Sequence, residues 1–102
     1  MPKGYWIAHI DVNDLKSYED YIKANAKAFS HYGGRFLVRG GSYQAVEGKG
    51  RQRNIVIEFN SYQKALDCYN SPEYKSARDL RLPPAAEGDL IILEGYDEPQ
   101  PL

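Results

Sequence analysis

Apolar residues along this chain alternate between two periods, and the switches mark its elements. Residues 5–12, Tyr-Trp-Ile-Ala-His-Ile-Asp-Val, are rich in aromatic and β-branched side chains at both parities, the pattern of a strand covered on both faces. Asn13 or Asp14 can cap the next element. Leu15, Tyr18, Ile22, Ala26 and Phe29 recur there at spacings of 3, 4, 4 and 3, one narrow stripe of a helix that Gly33 and Gly34 end. Residues 35–39 read as a second strand, bent or bulged at Gly40-Gly41 and continued through Tyr43 to Val46, with a turn at Gly48-Lys49-Gly50. The strongest strand pattern, residues 53–59, completes a hairpin. Ser61 caps a second helix with Tyr62, Ala65, Leu66 and Tyr69 on one face, and Ser71-Pro72 restarts a shorter one, with proline at its first helical position. Pro83-Pro84 stops it, and residues 89–96 form a fourth strand.

The order βαββαβ predicts an α+β domain of ferredoxin-like arrangement, one antiparallel sheet with its helices on a single face. All 102 residues fit one domain, with a core over about 4–96 and a loose Pro-containing tail at 97–102. Helices on one side leave the other side of the sheet bare. Tyr5, Ile7, Leu37, Val56, Leu90 and Ile92 are expected there, so a second sheet should cover them. Six large apolar side chains represent an upper limit on the order of 10 kcal/mol per chain, enough to favour a homodimer through the open sheet face.

Alternation also groups the chemistry. With Ala8, Ile10, Ile55, Ile57, Phe59, Ile91 and Leu93 facing the helices, His9, Arg39, Glu58 and Glu94 fall on the opposite face among Leu37, Val56 and Ile92. Charges in a largely apolar layer must be paired or functional. A hairpin closing at Lys49, with one extra residue at Gly40-Gly41, sets Arg39 opposite Glu58. Arg39 is then either a fork for a carboxylate or the partner of Glu58 in a structural ion pair. His9 can move a proton near neutrality or serve as a hydrogen-bonded interface residue, and Glu58 or Glu94 can act as a base or as a rim salt bridge. Tyr69 and Tyr74 bracket a break between helices, where phenols can close over a pocket mouth, although most of the nine tyrosines should be core or interface residues. Trp6 is expected to be an apolar anchor.

Composition narrows the classes. Net charge is −1 with 26% charged residues, so no broad electrostatic attraction draws nucleic acid or an anionic membrane. Asn54, Val56 and Glu58 offer no aromatic platform of the kind RNA-binding sheets present on this strand. Cys68 is the single cysteine, expected as a buried structural thiol, and His9 and His31 have no metal-ligand spacing, so no metal and no cofactor are expected. Gly48-Lys49-Gly50-Arg51 lacks the helix start of a phosphate loop. No apolar run approaches the roughly 18 to 20 residues of a membrane helix, and the N-terminus lacks a signal-peptide layout, so a cytoplasmic protein is expected.

Gly33-Gly-Arg-Phe-Leu-Val-Arg-Gly-Gly41 and Ile57-Glu-Phe-Asn-Ser61, followed by Ala65, Tyr69, Ser71, Glu73-Tyr74 and Arg81, occur together over residues 4–96. In this combination the chain resembles the family of domain of unknown function 1330, whose members resemble the dimeric α+β barrel superfamily. The resemblance implies back-to-back sheets and a pocket beside each, with Arg39, Glu58, Tyr69, Ser71, Tyr74 and Arg81 at the matching positions. Leu82-Pro83-Pro84-Ala85 departs from the family pattern and is expected to shorten the last helix and leave Arg81 on a loop. The expectation carried forward is a small cofactor-independent enzyme, an isomerase or oxygenase of an apolar or aromatic acid, with His9 and Glu58 catalytic. Arg39, Tyr69, Ser71, Tyr74 and Arg81 would bind its substrate. The alternatives are a non-catalytic ligand-binding module and a purely structural dimer.

Overall fold

The computed structural model describes residues 2–101; Met1 and Leu102, at the ends of the expected N-terminal layout and tail, lie outside them. The element order is β1 (Gly4–Val12), α1 (Leu15–Tyr32), β2 (Arg35–Arg39), β3 (Arg53–Phe59), α2 (Tyr62–Asn70), α3 (Pro72–Arg78) and β4 (Ala86–Glu94). The strands form one antiparallel sheet in the order β2-β3-β1-β4.

Local chemistry places the helix starts and the end of α1 where the sequence predicts them, whereas α3 ends at Arg78, before the predicted stop at Pro83-Pro84. Asp14 caps α1 by accepting from the Ser17 amide, which holds its carboxyl below the usual aspartate range, and Gly33 closes the helix at φ 74°, a conformation that favours glycine. Ser61 caps α2, and Ser71 caps α3 while Pro72 fills the first turn. The chain then turns through residues 79–85 into β4, which starts at Ala86, earlier than the alternation of residues 89–96 indicates.

Trp6, Ala8 and Ile10 from β1 and Ile57 and Phe59 from β3 are buried beneath the helices. Trp6 is the centre of that layer. Its ring meets Tyr74, Phe29 and Tyr69 edge-on at centroid distances of 4.8, 5.1 and 5.9 Å, and its indole N–H donates to the Ala65 carbonyl at 2.9 Å. The buried face of α1 runs through Tyr18, Tyr21, Asn25, Ala28 and Phe29, so the predicted stripe is rotated: Leu15 is 65% exposed and Ala26 faces out. Cys68 is fully buried, and burial pushes its thiol up to about 12, so it is an inert packing residue.

The α2 entry packs hard against β1. A methyl group on Gly4 would collide with the Ser61 carbonyl oxygen and lie 2.7 Å from the Tyr62 Cα, both backbone atoms that cannot swing aside. Gly4→Ala is therefore expected to cost about 1 to 3 kcal/mol of stability in urea unfolding. Unchanged stability would mean that β1 and α2 separate freely there.

Two registers differ from expectation. The bulge of the β2–β3 hairpin lies between Phe36 and Val38, not at Gly40-Gly41, and residues 41–52 form no strand. On β4, Trp6 pairs with Ile92 and Ala8 with Leu90, so Leu90 and Ile92 face the helices while Ile91 and Leu93 lie on the open face. The run Leu-Ile-Ile-Leu is apolar at both parities, so only pairing to β1 could decide which pair is inside.

Candidate functional site

The bulge at Leu37 decides where Arg39 goes. Regular alternation from Phe36, which pairs with Ile57 on the helix side, would send residue 39 to the open face; one extra residue returns it to the helix side, paired with Ile55. Arg39 and Glu58 thus lie on opposite faces, and the expected ion pair does not form. Arg35 takes its place, pairing with Glu58, which also accepts a hydrogen bond from the Tyr5 hydroxyl at 2.9 Å.

The expected polar group of His9, Arg39, Glu58 and Glu94 is therefore split. His9 and Glu58 remain on the open face, whereas Glu94, paired with Gly4, shares the helix-side parity at the exposed end of β4. His9 Nδ1 lies 2.7 Å from Asn54 Oδ1. The Asn54 amide nitrogen donates to the Arg51 carbonyl, which identifies Oδ1 as the atom facing the imidazole and makes Nδ1 the donor.

On the helix side a cleft opens between α1, the α3 end and the sheet. Its apolar floor is Trp6, Ala8, Ile10, Ile55 and Ile57; Phe29, Phe36 and Leu90 add walls. About 480 Å³ of non-protein space lies among these side chains, open mouth included, of which about 30 Å³ admits the centre of a water molecule. Arg39, Arg53 and Arg81 line it together with Tyr18, Tyr21 and Tyr74.

These groups are wired by hydrogen bonds. Arg81 Nε and Nη2 donate to the Tyr74 hydroxyl oxygen at 3.3 and 3.0 Å, and that oxygen lies 2.8 Å from the Tyr21 hydroxyl. The two Arg81 N–H groups reach the Tyr74 oxygen from one side, and the Tyr74 and Tyr21 hydroxyls share a hydrogen bond in which either can be the donor. Arg53 Nε likewise donates to Tyr18 at 3.2 Å, and the Arg39 guanidinium carbon sits 4.1 Å from the Phe36 ring centroid. Burial, reinforced by Tyr21, drives the Tyr74 phenol far above its ordinary range, and burial raises Tyr18 as well. Both phenols are donors near neutrality, not bases.

No carboxylate answers the arginines. The ion pairs among the described residues are Lys16–Asp20, Arg35–Glu58, Arg51–Asp11 and Arg78–Asp79, none of which includes Arg39, Arg53 or Arg81. Three guanidinium groups therefore share the cleft with phenols and the Asn25 amide and with no carboxylate.

Of the other sequence candidates, Ser71 is committed to structure: its hydroxyl donates to the Cys68 carbonyl at 2.7 Å and accepts from the Tyr74 amide. Tyr69 packs on Trp6 and Tyr74 outside the cleft lining, its hydroxyl accepting from Arg78 at 3.4 Å. Arg81 follows α3 in the turn segment, yet it is anchored by Tyr74. Sequence reading missed Arg53, Tyr18, Tyr21 and Asn25. Arg53 has the helix-facing parity of Ile55 and Ile57, and this was the available signal. No group of three or more His, Cys, Asp or Glu side chains able to hold a metal occurs among the described residues.

A four-stranded antiparallel sheet under helices on one face, with a cationic aromatic cleft between the layers, defines an α+β protein of ferredoxin-like fold. Its sequence matches the model of domain of unknown function DUF1330 over residues 3–96, and the chain belongs to that family. No curated protein sequence matches it. Among solved structures it is similar to a Rhodopseudomonas palustris protein of unknown function, at 16% identity and TM-score 0.75 over 95% of this chain and 85% of that one. A dimeric ferredoxin-like protein of unknown function from Thermobifida fusca aligns at 15% identity and TM-score 0.61 over 91% of each chain. SnoaB, a cofactor-independent oxygenase from Streptomyces nogalater, aligns at 10% identity and TM-score 0.60 over 100% of this chain and 98% of its own. At these identities the likeness is one of fold.

Proposed function

We propose that this protein binds a small aromatic or apolar carboxylic acid in the cleft between α1, α3 and the sheet. The observation that carries the reading is the convergence of Arg39, Arg53 and Arg81 on an apolar cavity without an acidic partner. Fixed guanidinium forks favour a planar carboxylate, and the aromatic walls favour a flat apolar body behind it. His9 and Glu58 lie across the sheet and take no part in this cleft. Binding is thus the activity the geometry supports best. Cofactor-independent turnover of the bound acid, by isomerisation or oxygenation, would rest on stabilisation of a developing anion by the arginines and by hydrogen bonds from the Tyr21 and Tyr18 hydroxyls. SnoaB supports that extension by analogy of fold alone.

The test is isothermal titration with benzoate, phenylacetate and 3-phenylpropanoate against their neutral amides. At least one acid should bind while its amide does not, and Arg53→Met and Arg81→Met should each weaken binding at least tenfold, about 1.4 kcal/mol or more. Equal binding of acid and amide, or arginine variants that bind as the wild type does, would overturn the reading.

The working unit in this reading is a homodimer joined through the open sheet face, in the cytoplasm. Leu37, Ile91 and Leu93 are 54%, 52% and 42% exposed there, beside half-buried Tyr5, Ile7 and Val56, and the Thermobifida fusca neighbour is described as dimeric. A second copy of this chain is the occupant whose matching apolar face best fits such a surface. The reduced state that suits a lone buried Cys68 agrees with the cytoplasmic assignment, and among the described residues no helix is long and apolar enough to cross a membrane.

A further inference from the structure

One polar group in the cleft is neither a guanidinium nor a phenol. Asn25 is 4% exposed and lines the cavity from α1, and its Oδ1 is enclosed with no hydrogen-bond partner. A buried carbonyl oxygen without a donor is uncommon and costly, and where it borders a cavity a ligand can supply the missing donor. Position adds a second constraint. Asn25 stands one helical turn beyond Tyr21 and two turns beyond Tyr18, the phenols that Arg81 (through Tyr74) and Arg53 engage. Seven residues of α-helix from Tyr18 to Asn25 span about 10 Å. The side chains between and around them, Ile22, Phe29 and Ile57, are apolar.

Along α1 the cleft thus carries the phenols of Tyr18 and Tyr21 with their arginines, apolar side chains beside them, and then the Asn25 acceptor. We infer that the ligand is a hydroxylated aromatic acid, its carboxylate held by the arginines and its ring hydroxyl donating to Asn25 Oδ1; this rests on the carboxylate reading above and adds the far end of the molecule. An acceptor that is filled only by a hydroxyl rejects the analogue lacking it, because the carbonyl is then left buried and unpaired. The same acceptor disfavours a second carboxylate at that end. Asn25 is accordingly a specificity residue for the hydroxyl, separate from the anion-binding set.

Calorimetric titration of 3-phenylpropanoate and its ortho-, meta- and para-hydroxyphenyl counterparts tests the assignment, using wild type and Asn25→Leu. One hydroxylated isomer should bind wild type at least tenfold more tightly than 3-phenylpropanoate. In Asn25→Leu that preference should vanish. Wild type that binds 3-phenylpropanoate but prefers none of the three isomers would overturn the hydroxyl assignment and leave carboxylate binding standing. A preference that survives Asn25→Leu would overturn it in the same way. Failure of all four acids, and of benzoate and phenylacetate, to bind wild type would overturn both. The wild-type comparison alone decides the matter should Asn25→Leu not fold.

Discussion

Trp6→Ala is expected to remove most of the stability of this domain. The side chain is 2% exposed at the centre of the sheet, packed among Phe29, Phe59, Tyr69 and Tyr74, and its N–H bonds the Ala65 carbonyl. Truncating a buried tryptophan costs about 3 to 5 kcal/mol, and the lost hydrogen bond adds about 1 kcal/mol. Domains of this size hold roughly 5 to 15 kcal/mol in total, so the melting transition should fall by about 20 °C or the chain should not fold. Far-UV circular dichroism is the right probe, because Trp6 is the only tryptophan and its fluorescence disappears with it. Trp6→Phe separates the contributions: it keeps much of the ring packing and loses the bond to α2, and should cost markedly less. A loss below about 2 kcal/mol for Trp6→Ala would show that the aromatic cluster repacks around the gap.

The same cluster forms the floor and back wall of the cleft, so a destabilised core should also blur the site. Tyr74 illustrates the coupling. Its ring is fully buried against Trp6, while its hydroxyl links Arg81 to Tyr21. One residue thus joins the α3 end to the core and to the cationic rim. Its hydroxyl oxygen is satisfied on all sides, which is what permits a phenol to be buried next to a guanidinium.

Much of the architecture was legible in local patterns, because each relevant signal acts over a few residues. Asp14, Gly33, Ser61 and Ser71-Pro72 end or start helices by chemistry that needs no distant partner. The parity of β3 was equally plain, since Ile55, Ile57 and Phe59 leave only Asn54, Val56 and Glu58 for the other face. Parity on β2 and β4 was not. Arg35-Phe-Leu-Val-Arg39 has one bulge whose position depends on pairing to β3, and moving that bulge by three residues carries Arg39 through the sheet. Residues 90–93 are apolar without interruption, so their orientation depends on β1. The candidate site inherited both errors: Arg39 lines the cleft, but its grouping with His9 and Glu58 fails because the sheet separates them. Tyr18 read as a core residue because a phenol on a helical stripe looks the same in sequence whether its hydroxyl meets a neighbour or a cleft, and Tyr21 lay off the predicted stripe.

Ile7→Asp should convert the protein to a monomer while leaving the cleft intact. Ile7 sits on central strand β1 with Val56 on one side and Ile91 on the other, the middle row of the open face. In a lone chain the new carboxylate stays half in water and the fold tolerates it. In a sheet-to-sheet dimer it would be buried against apolar side chains by both copies, without a cation in the row, and ionised groups in that setting cost several kcal/mol each. The dimer dissociation constant should therefore rise at least a thousandfold, about 4 kcal/mol, and sedimentation should show twice the chain mass for wild type and the single mass for the variant. Wild type that sediments as a monomer at about 100 µM, a hundredfold above a micromolar dissociation constant, would remove the open face as the interface, and so would an Ile7→Asp protein that stays dimeric. Because Ile7 points away from Arg39, Arg53 and Arg81, carboxylate affinity should change little if the cleft is complete within one chain. A variant that folds, becomes monomeric and loses the acid would instead mean that the second copy holds the cleft in its binding geometry.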